Sequence, residues 1–204
     1  MNFVRFFLLF GLLLSTAAFG ARDGGGYGGG LAPVSNPRTP EEMAIGEYNA
    51  GVKQRDKAWE YEQRAKPLED GKKKEKFLKK AQKAYKKAIG RFEKAVEYDP
   101  RMYQAWSALG HGLRKTGSYD RALEAYNNAL DINPDYHEAI EYRAEAYLHL
   151  HDYEAVKAAY ARLKKEHPEY AGQLMQAVQE WLPAQHADNN LELRAFARWA
   201  ARQQ

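Results

Sequence analysis

The tightest group of metal-ligand residue types in this sequence is His149-Leu150-His151-Asp152. Two histidines at i and i+2 share a face on a strand but not on a helix, and the sequence places no third ligand beside them. The 204 residues include no cysteine, which excludes disulfides, thiolate metal sites, iron–sulfur clusters and thiol nucleophiles. We predict no metal site.

Sequence patterns of catalysis are missing as well. The segment GGGYGGG at 24–30 follows no predicted strand and precedes no Lys-Ser or Lys-Thr, unlike a phosphate-binding loop. The sequence contains no H-E-x-x-H segment and no Ser/His/Asp order of a known hydrolase type. It therefore predicts no catalytic residue, no cofactor and no enzymatic activity.

Residues 72–87 form a run with nine lysines in a chain whose net charge is only +4. One interpretation is a solvated helix face across from the eight acidic residues between 41 and 70, with or without ion pairs inside the hairpin. The other is a basic surface for an anionic lipid, an anionic polymer or an acidic protein. Its residues are Lys72, Lys73, Lys74, Lys76, Lys79, Lys80 and Lys83. Nucleic acid is not expected as a partner, because the amino terminus indicates export.

Residues 1–20 have the order of a secretory signal peptide: a positive charge, the apolar run Phe6–Leu14, and then small residues. We expect cleavage after Gly20, with Ala18 as the alternative, and a periplasmic or secreted mature protein. An uncleaved anchor is the other interpretation, but nine apolar residues cover roughly 14 Å of a ~30 Å hydrocarbon core. Residues 21–39 contain six glycines and two prolines and are predicted to be a flexible linker.

The rest of the chain is built from a repeat of about 34 residues. Pro100, Pro134 and Pro168 mark the period. Other columns in the same register are Tyr85, Tyr119 and Tyr153; Ala88, Ala122 and Val156; and Phe92, Tyr126 and Tyr160. A fixed period of this length indicates stacked supersecondary units rather than one globular core.

The most regular copy begins at Tyr103 and has the pattern W-x2-L-G-x2-L, a turn glycine, A-x3-Y-x2-A and a closing proline. The residues in this pattern are Trp106, Leu109, Gly110, Leu113, Gly117, Ala122, Tyr126, Ala129 and Pro134. The segment resembles a tetratricopeptide repeat. The resemblance implies an all-α fold, a right-handed superhelical array of about three helix-turn-helix units. Together with the signal peptide at 1–20 it suggests a bacterial exported protein.

The first copy departs from this pattern, because the segment directly before Tyr85 cannot supply its first helix. Thr39-Pro40-Glu41-Glu42 has the pattern of a helix N-terminus further upstream. The chain from Ala44 in that helix to Tyr85 is longer than in an ordinary repeat by an insertion of about 25 residues. We predict a long helical hairpin whose first arm carries an apolar stripe. That stripe consists of Ile45, Tyr48, Val52 and Trp59.

These boundaries divide the chain into an array and a cap. The array is predicted over 40–170, with repeats at 40–102, 103–136 and 137–170, and the cap is predicted as helices within 171–204. In the third repeat Arg143 and His151 stand where the pattern has leucine and the turn glycine. The arginine-rich last helix is predicted to cap the array, and membrane-surface binding is the alternative.

The resemblance implies a concave groove whose side chains are exposed to a ligand. They come from positions 2, 5, 9 and 12 of each repeat, counted from Tyr103 in the second repeat and from His137 in the third. The groove residues are Gln104, Ser107, His111 and Arg114, followed by Glu138, Glu141 and Glu145. The three glutamates suggest a basic or polar segment as the ligand. The sequence thus predicts a non-catalytic adaptor that binds another protein or peptide. The alternative is an envelope-surface binder that uses its lysines or its last arginine-rich helix.

Overall fold

The computed structural model describes residues 38–185 and 190–203. The predicted signal peptide, all of the predicted linker except Arg38 and Thr39, and His186 lie outside the described residues. The described part is helical and contains no strand. The helices are α1 (Pro40–Ala65), α2 (Lys72–Tyr98), α3 (Tyr103–Lys115), α4 (Tyr119–Ile132), α5 (His137–His149), α6 (Tyr153–Glu166), α7 (Pro168–Trp181) and α8 (Leu191–Ala201), with a short 3-10 helix at Leu182–Ala184.

Successive helices pack as antiparallel pairs, α1 with α2, α3 with α4, and α5 with α6. Each pair contacts the next pair through its neighbouring helix, and α7 packs against both helices of the third pair. This neighbour-only pattern is the arrangement of a repeat array, in which each unit buries its apolar face on the following one. The all-α array implied by the resemblance is confirmed.

The predicted hairpin is the pair α1 and α2, which have 26 and 27 residues against 13 or 14 in the later pairs. Thr39 caps α1 through a capping box with Glu42, and Pro40 occupies the first turn. Gly71 closes the connection with φ 152°, a backbone conformation that favours glycine.

Small residues, not the predicted apolar stripe, form the buried line of α1. They recur at every seventh position, at Ala44, Gly51, Ala58 and Ala65. This spacing keeps one narrow seam of the helix against α2, and the small side chains let the two backbones approach closely. The predicted stripe was therefore wrong in part, since Ile45 and Trp59 are exposed and Tyr48 and Val52 are half-buried.

The turns inside the second and third repeats use the same left-handed backbone. Gly117 has φ 83° in one turn, and His151 has φ 62° at the matching place in the next. Glycine adopts this conformation without a steric penalty, whereas histidine adopts it with one. The substitution noted in the sequence therefore keeps the shape of the turn at the cost of local strain.

The carboxyl-terminal helices cap the array, as predicted. Asn190 caps α8 by accepting a hydrogen bond from the Leu193 backbone N–H at 2.9 Å. Phe196 is fully buried and stacks on Tyr153 of the third repeat with 4.6 Å between ring centroids. Leu191 lies outside this buried face and is exposed. Across residues 38–185 and 190–203, none of the helices has both the length and the apolar character needed to cross a bilayer.

Candidate protein-binding surfaces

Two glycine–aromatic crossings fix the register of the first two repeats. A Cβ built on Gly110 would stand 2.7 Å from the Tyr126 ring, and one on Gly51 would stand 2.5 Å from the Phe92 ring. Only glycine permits such close approach. Gly110 is position 8 of the second repeat, counted from Tyr103, and Gly51 therefore occupies position 8 of the first repeat. The concave positions 2, 5, 9 and 12 of the first repeat are therefore Ile45, Tyr48, Val52 and Arg55.

Most of the predicted groove residues are buried rather than exposed. Gln104 and Glu138 are half-buried, and the remaining five are buried: Ser107, His111, Arg114, Glu141 and Glu145. Their burial corrects the expectation that these positions face a ligand. The physical reason is that α3 and α5 approach closely enough for their concave side chains to fill the space between them.

An ion pair lies at the centre of this buried set, which we call the concave cluster. The Arg114 guanidinium donates to the Glu145 carboxylate, and both residues are only 7% exposed. Burial alone would lower the pKa of Arg114, but the carboxylates of Glu145 and Glu141 outweigh it and raise that pKa. Burial raises the pKa of Tyr126, whose hydroxyl faces the same guanidinium. The arginine is thus held charged inside the protein.

Aromatic rings close the concave cluster. Tyr142 of α5 lies between helices, with its ring 5.2 Å from the His111 ring and 5.4 Å from the Arg114 guanidinium carbon. Arg55 of α1 is an electrostatic neighbour of Tyr142 and donates twice to Asp56, at 2.9 and 3.0 Å. Side chains from α1, α3 and α5 therefore meet here, and little of the cluster's surface is exposed.

The three glutamates do not form a free acidic wall. Glu145 is paired with Arg114, and Glu141 is fully buried beside the same cation. Glu138 accepts a hydrogen bond from the Tyr136 hydroxyl at 2.7 Å. The expectation that a basic or polar segment binds to these carboxylates has no support in this arrangement.

Accessible concave surface lies instead on α1. Ile45 and Trp59 are 37% and 38% exposed, and Val52 between them is half-buried. These residues are seven apart, so they follow one line along the helix: Ile45 and Val52 occupy concave positions 2 and 9, and Trp59 continues the same line about two turns further. We call them the α1 apolar row. The sequence identified the same residues but assigned them to packing, because large apolar side chains usually mark the buried face.

The predicted basic surface lies on α2, and six of its seven lysines are exposed. These are Lys72, Lys73, Lys76, Lys79, Lys80 and Lys83. Lys74 is half-buried and its Nζ lies 2.8 Å from Asp70 Oδ1. Lys79 pairs with Glu75 one turn earlier in the same helix. Among the described residues, Lys74–Asp70 is the ion pair between a lysine of 72–87 and an acidic residue of 41–70, and no such pair reaches an acidic side chain of α1, so this lysine run is mainly a solvated face.

Comparison with known proteins identifies the repeat. The family model described as tetratricopeptide repeat matches residues 103–136. The chain contains a tetratricopeptide repeat at 103–136. A curated relative, the small glutamine-rich tetratricopeptide repeat-containing protein 2 of Mycosarcoma maydis, is 38% identical over 42 residues. The match covers 21% of this chain and only 12% of the relative.

A solved structure similar to this chain is the TPR2B domain of yeast Sti1 in its pHsp70 complex. The TM-score is 0.38 and the identity is 19%, with 72% of this chain and 98% of that chain covered. The tetratricopeptide repeat matched at 103–136 supports a protein–protein interaction module.

Four of the histidines, His137, His149, His151 and His167, lie at or next to helix ends. His149 stacks on Tyr119 with 4.6 Å between ring centroids, and His151 Nδ1 lies 3.0 Å from the Tyr153 hydroxyl. His137 lies against His167 and 3.6 Å from Glu166. Within 38–185 and 190–203, no three His, Cys, Asp or Glu residues are grouped closely enough to hold a metal ion.

Proposed function

We propose that this protein is a non-catalytic adaptor of the cell envelope that binds an apolar segment of another protein. The observation that carries the proposal is the α1 apolar row, an accessible line of side chains that occupies two concave positions and continues to Trp59. The matching positions of the next two repeats are taken up by the concave cluster, which leaves α1 as the accessible side of the groove. Exposed apolar side chains arranged in a line favour an apolar partner segment.

The chemistry of the row determines the partner we propose. Ile45, Val52 and Trp59 offer no charge, so a segment that binds them gains affinity by burying its own apolar side chains. A tryptophan in particular presents a large apolar area with a polar N–H group, which is why this residue type is frequent at binding hot spots. A purely basic segment would find no carboxylate in the row.

A site-specific crosslinking experiment tests this surface. A photo-crosslinking residue at Val52 should capture a partner from envelope extracts. The double variant Ile45→Ala/Trp59→Ala should lose capture by a crosslinker at Lys53 by at least tenfold. The matched control is Ile132→Ala/Leu150→Ala, because both of those residues are also 37% exposed. Equal loss in both double variants, or capture at Ile132 rather than at Val52, would contradict the proposal.

Export is a separate part of the proposal. Its support is the order of charge, apolar run and small residues in 1–20, which lie outside the described residues. N-terminal sequencing of the mature protein should find a start between Phe19 and Arg22. An intact Met1 on protein from the cytosolic fraction would refute export and leave the binding surface untouched.

A further inference from the structure

The lysines of α2 occupy one face of a long helix. At 100° per residue, eight of them fall within an arc of about 120°. They are Lys72, Lys76, Lys79, Lys80, Lys83, Lys86, Lys87 and Lys94, and all are exposed. From Lys72 to Lys94 the helix rises roughly 33 Å. We call this strip the α2 lysine face.

Most of the α2 lysine face lies on the side of α2 opposite its contact with α1; Lys80, at the edge of the face, has its Nζ 5.4 Å from the centroid of the Tyr61 ring of α1. The buried residues of α2, including Ala81, Ala88 and Phe92, lie on the opposite side of the helix against α1. The apolar side of α2 is therefore already used inside the hairpin. Between Lys72 and Lys94 no large apolar residue lies within the lysine arc, so the face offers charge and no side chain for insertion.

Charge on this face is mostly uncompensated. Residues 72–87 contain nine lysines and one glutamate, a net charge of +8. That one glutamate, Glu75, pairs with Lys79. Lys72, Lys76 and Lys83 form no ion pair with any other described residue. Residues 41–70, which include most of α1, contain eight acids and five bases, a net charge of −3. The hairpin thus has a strongly basic face and an acidic opposite arm, which orients it toward a negative surface.

We propose that the α2 lysine face docks this protein on an anionic lipid bilayer. The lysines lie in two to three parallel rows along the surface of the helix. A flat layer of lipid headgroups can contact lysines of several rows at once, whereas a single polymer strand would follow one row. Lysine ammonium groups are point charges that need no fixed bidentate geometry, which suits a layer of mobile headgroups. With no apolar insertion the attachment is electrostatic and reversible, and salt screens it over a Debye length of about 8–10 Å.

Vesicle co-sedimentation of the full chain tests this. Vesicles that mix phosphatidylglycerol into phosphatidylcholine are compared with pure phosphatidylcholine vesicles, each at low and at high salt. Each lysine near an anionic surface contributes about a fivefold change in the binding constant. The variant Lys72→Gln/Lys76→Gln/Lys79→Gln/Lys83→Gln should therefore bind anionic vesicles at least tenfold more weakly. Its fold should persist, because glutamine and lysine have similar helix propensity and these side chains are exposed.

The matched control removes the same charge elsewhere. Lys53→Gln/Lys57→Gln/Lys66→Gln/Lys165→Gln neutralises four exposed lysines outside the face and should weaken binding less than threefold. The apolar run at 6–14 is present in every variant, and neutral vesicles report its contribution. Equal losses in the two variants, no preference for anionic vesicles, or tighter binding to soluble polyglutamate than to vesicles at equal charge would overturn the proposal.

Discussion

Gly51 of α1 lies directly against the ring of Phe92 in α2. A Cβ at Gly51 would stand 2.5 Å from Phe92 Cε1 and 2.7 Å from Cδ1, closer than real Cβ contacts. The second repeat has the same crossing between Gly110 and Tyr126. The chain between the glycine and the ring is more than twice as long in the first repeat as in the second. The hairpin thus has the same helix crossing as the second repeat, and both of its helices are lengthened beyond that crossing.

This crossing predicts opposite effects for the same substitution at two glycines of α1. Gly51→Ala should lower the free energy of unfolding by about 1–3 kcal/mol, because the added methyl group displaces a buried ring. Gly46→Ala should raise it by up to about 1 kcal/mol, since nothing lies within 4 Å of a Cβ there and alanine favours helix. Urea denaturation of both variants gives the comparison. If the two variants are equally stable, Gly51 is not at the crossing.

The concave cluster predicts an unequal cost for its two ionic partners. Arg114→Met leaves Glu141 and Glu145 without the buried cation they share, and we expect it to destabilise the fold by about 3–5 kcal/mol. Glu145→Leu should cost less, because Glu141 still faces the guanidinium. Lys115→Met is the control: Lys115 pairs with Glu62 at 2.8 Å but is partly exposed, so its loss should cost at most about 1 kcal/mol. Chemical denaturation that ranks Glu145→Leu as the most damaging of the three would contradict this electrostatic account.

Stability should fall in mildly acidic solution, and His149 should contribute to the loss. Burial lowers the pKa of His149, and Arg114 lowers it further by repulsion. The unfolded chain then binds a proton more readily than the folded one, so this stability is present above the unfolded pKa of about 6.5 and is lost as the pH falls below it. The melting temperature of His149→Gln should therefore change less than that of the wild type between pH 7 and pH 5. Identical pH profiles would show that His149 does not contribute.

The sequence revealed the array because repeat positions depend on contacts within one helix pair. Gly110 and Ala122 fall in fixed columns, and the extra length before Tyr85 is found by counting along the chain. The burial of Glu141 was not predictable in this way. It depends on the distance between α3 and α5. The side chains of two neighbouring repeats set that distance together, and neither helix shows a periodic sequence pattern that reports it.

The α1 seam illustrates a different failure. Large apolar residues at Ile45, Val52 and Trp59 outweigh small ones in any hydrophobicity pattern, so they indicated the buried face. The structure buries the small residues instead. Ala44, Gly51, Ala58 and Ala65 recur at every seventh position, and that spacing is the signal that would have identified a close helix–helix contact.

The outer turns of the hairpin should open more easily than the array. Between residues 60 and 80 only Ala65 is fully buried, and Ala58, Ala84 and Tyr85 form a small cluster separate from the main core. The free energy of local opening follows the buried contacts that opening breaks. We therefore expect amide hydrogens of residues 60–76 to exchange faster than those of 103–160. Comparable protection in both segments would show that the hairpin belongs to the core.

Deleting residues 58–82 tests whether the array needs the hairpin. Gly51 and Phe92 both remain, and the deletion gives them the same spacing along the chain that Gly110 and Tyr126 have in the second repeat. We expect a folded protein with a cooperative melting curve, since the main core contains no residue of the deleted segment. The deletion also removes Trp59 and the lysines from 72 to 80, so vesicle binding should weaken while Lys83, Lys86, Lys87 and Lys94 remain.

An unfolded product would mean that the outer turns hold the first repeat together through Glu62. The Glu62 carboxylate accepts a hydrogen bond from the Tyr85 hydroxyl at 3.1 Å and pairs with Lys115. Glu62→Gln in the intact chain separates the two outcomes: a small loss of stability agrees with a dispensable hairpin, and a loss as large as that of Arg114→Met contradicts it.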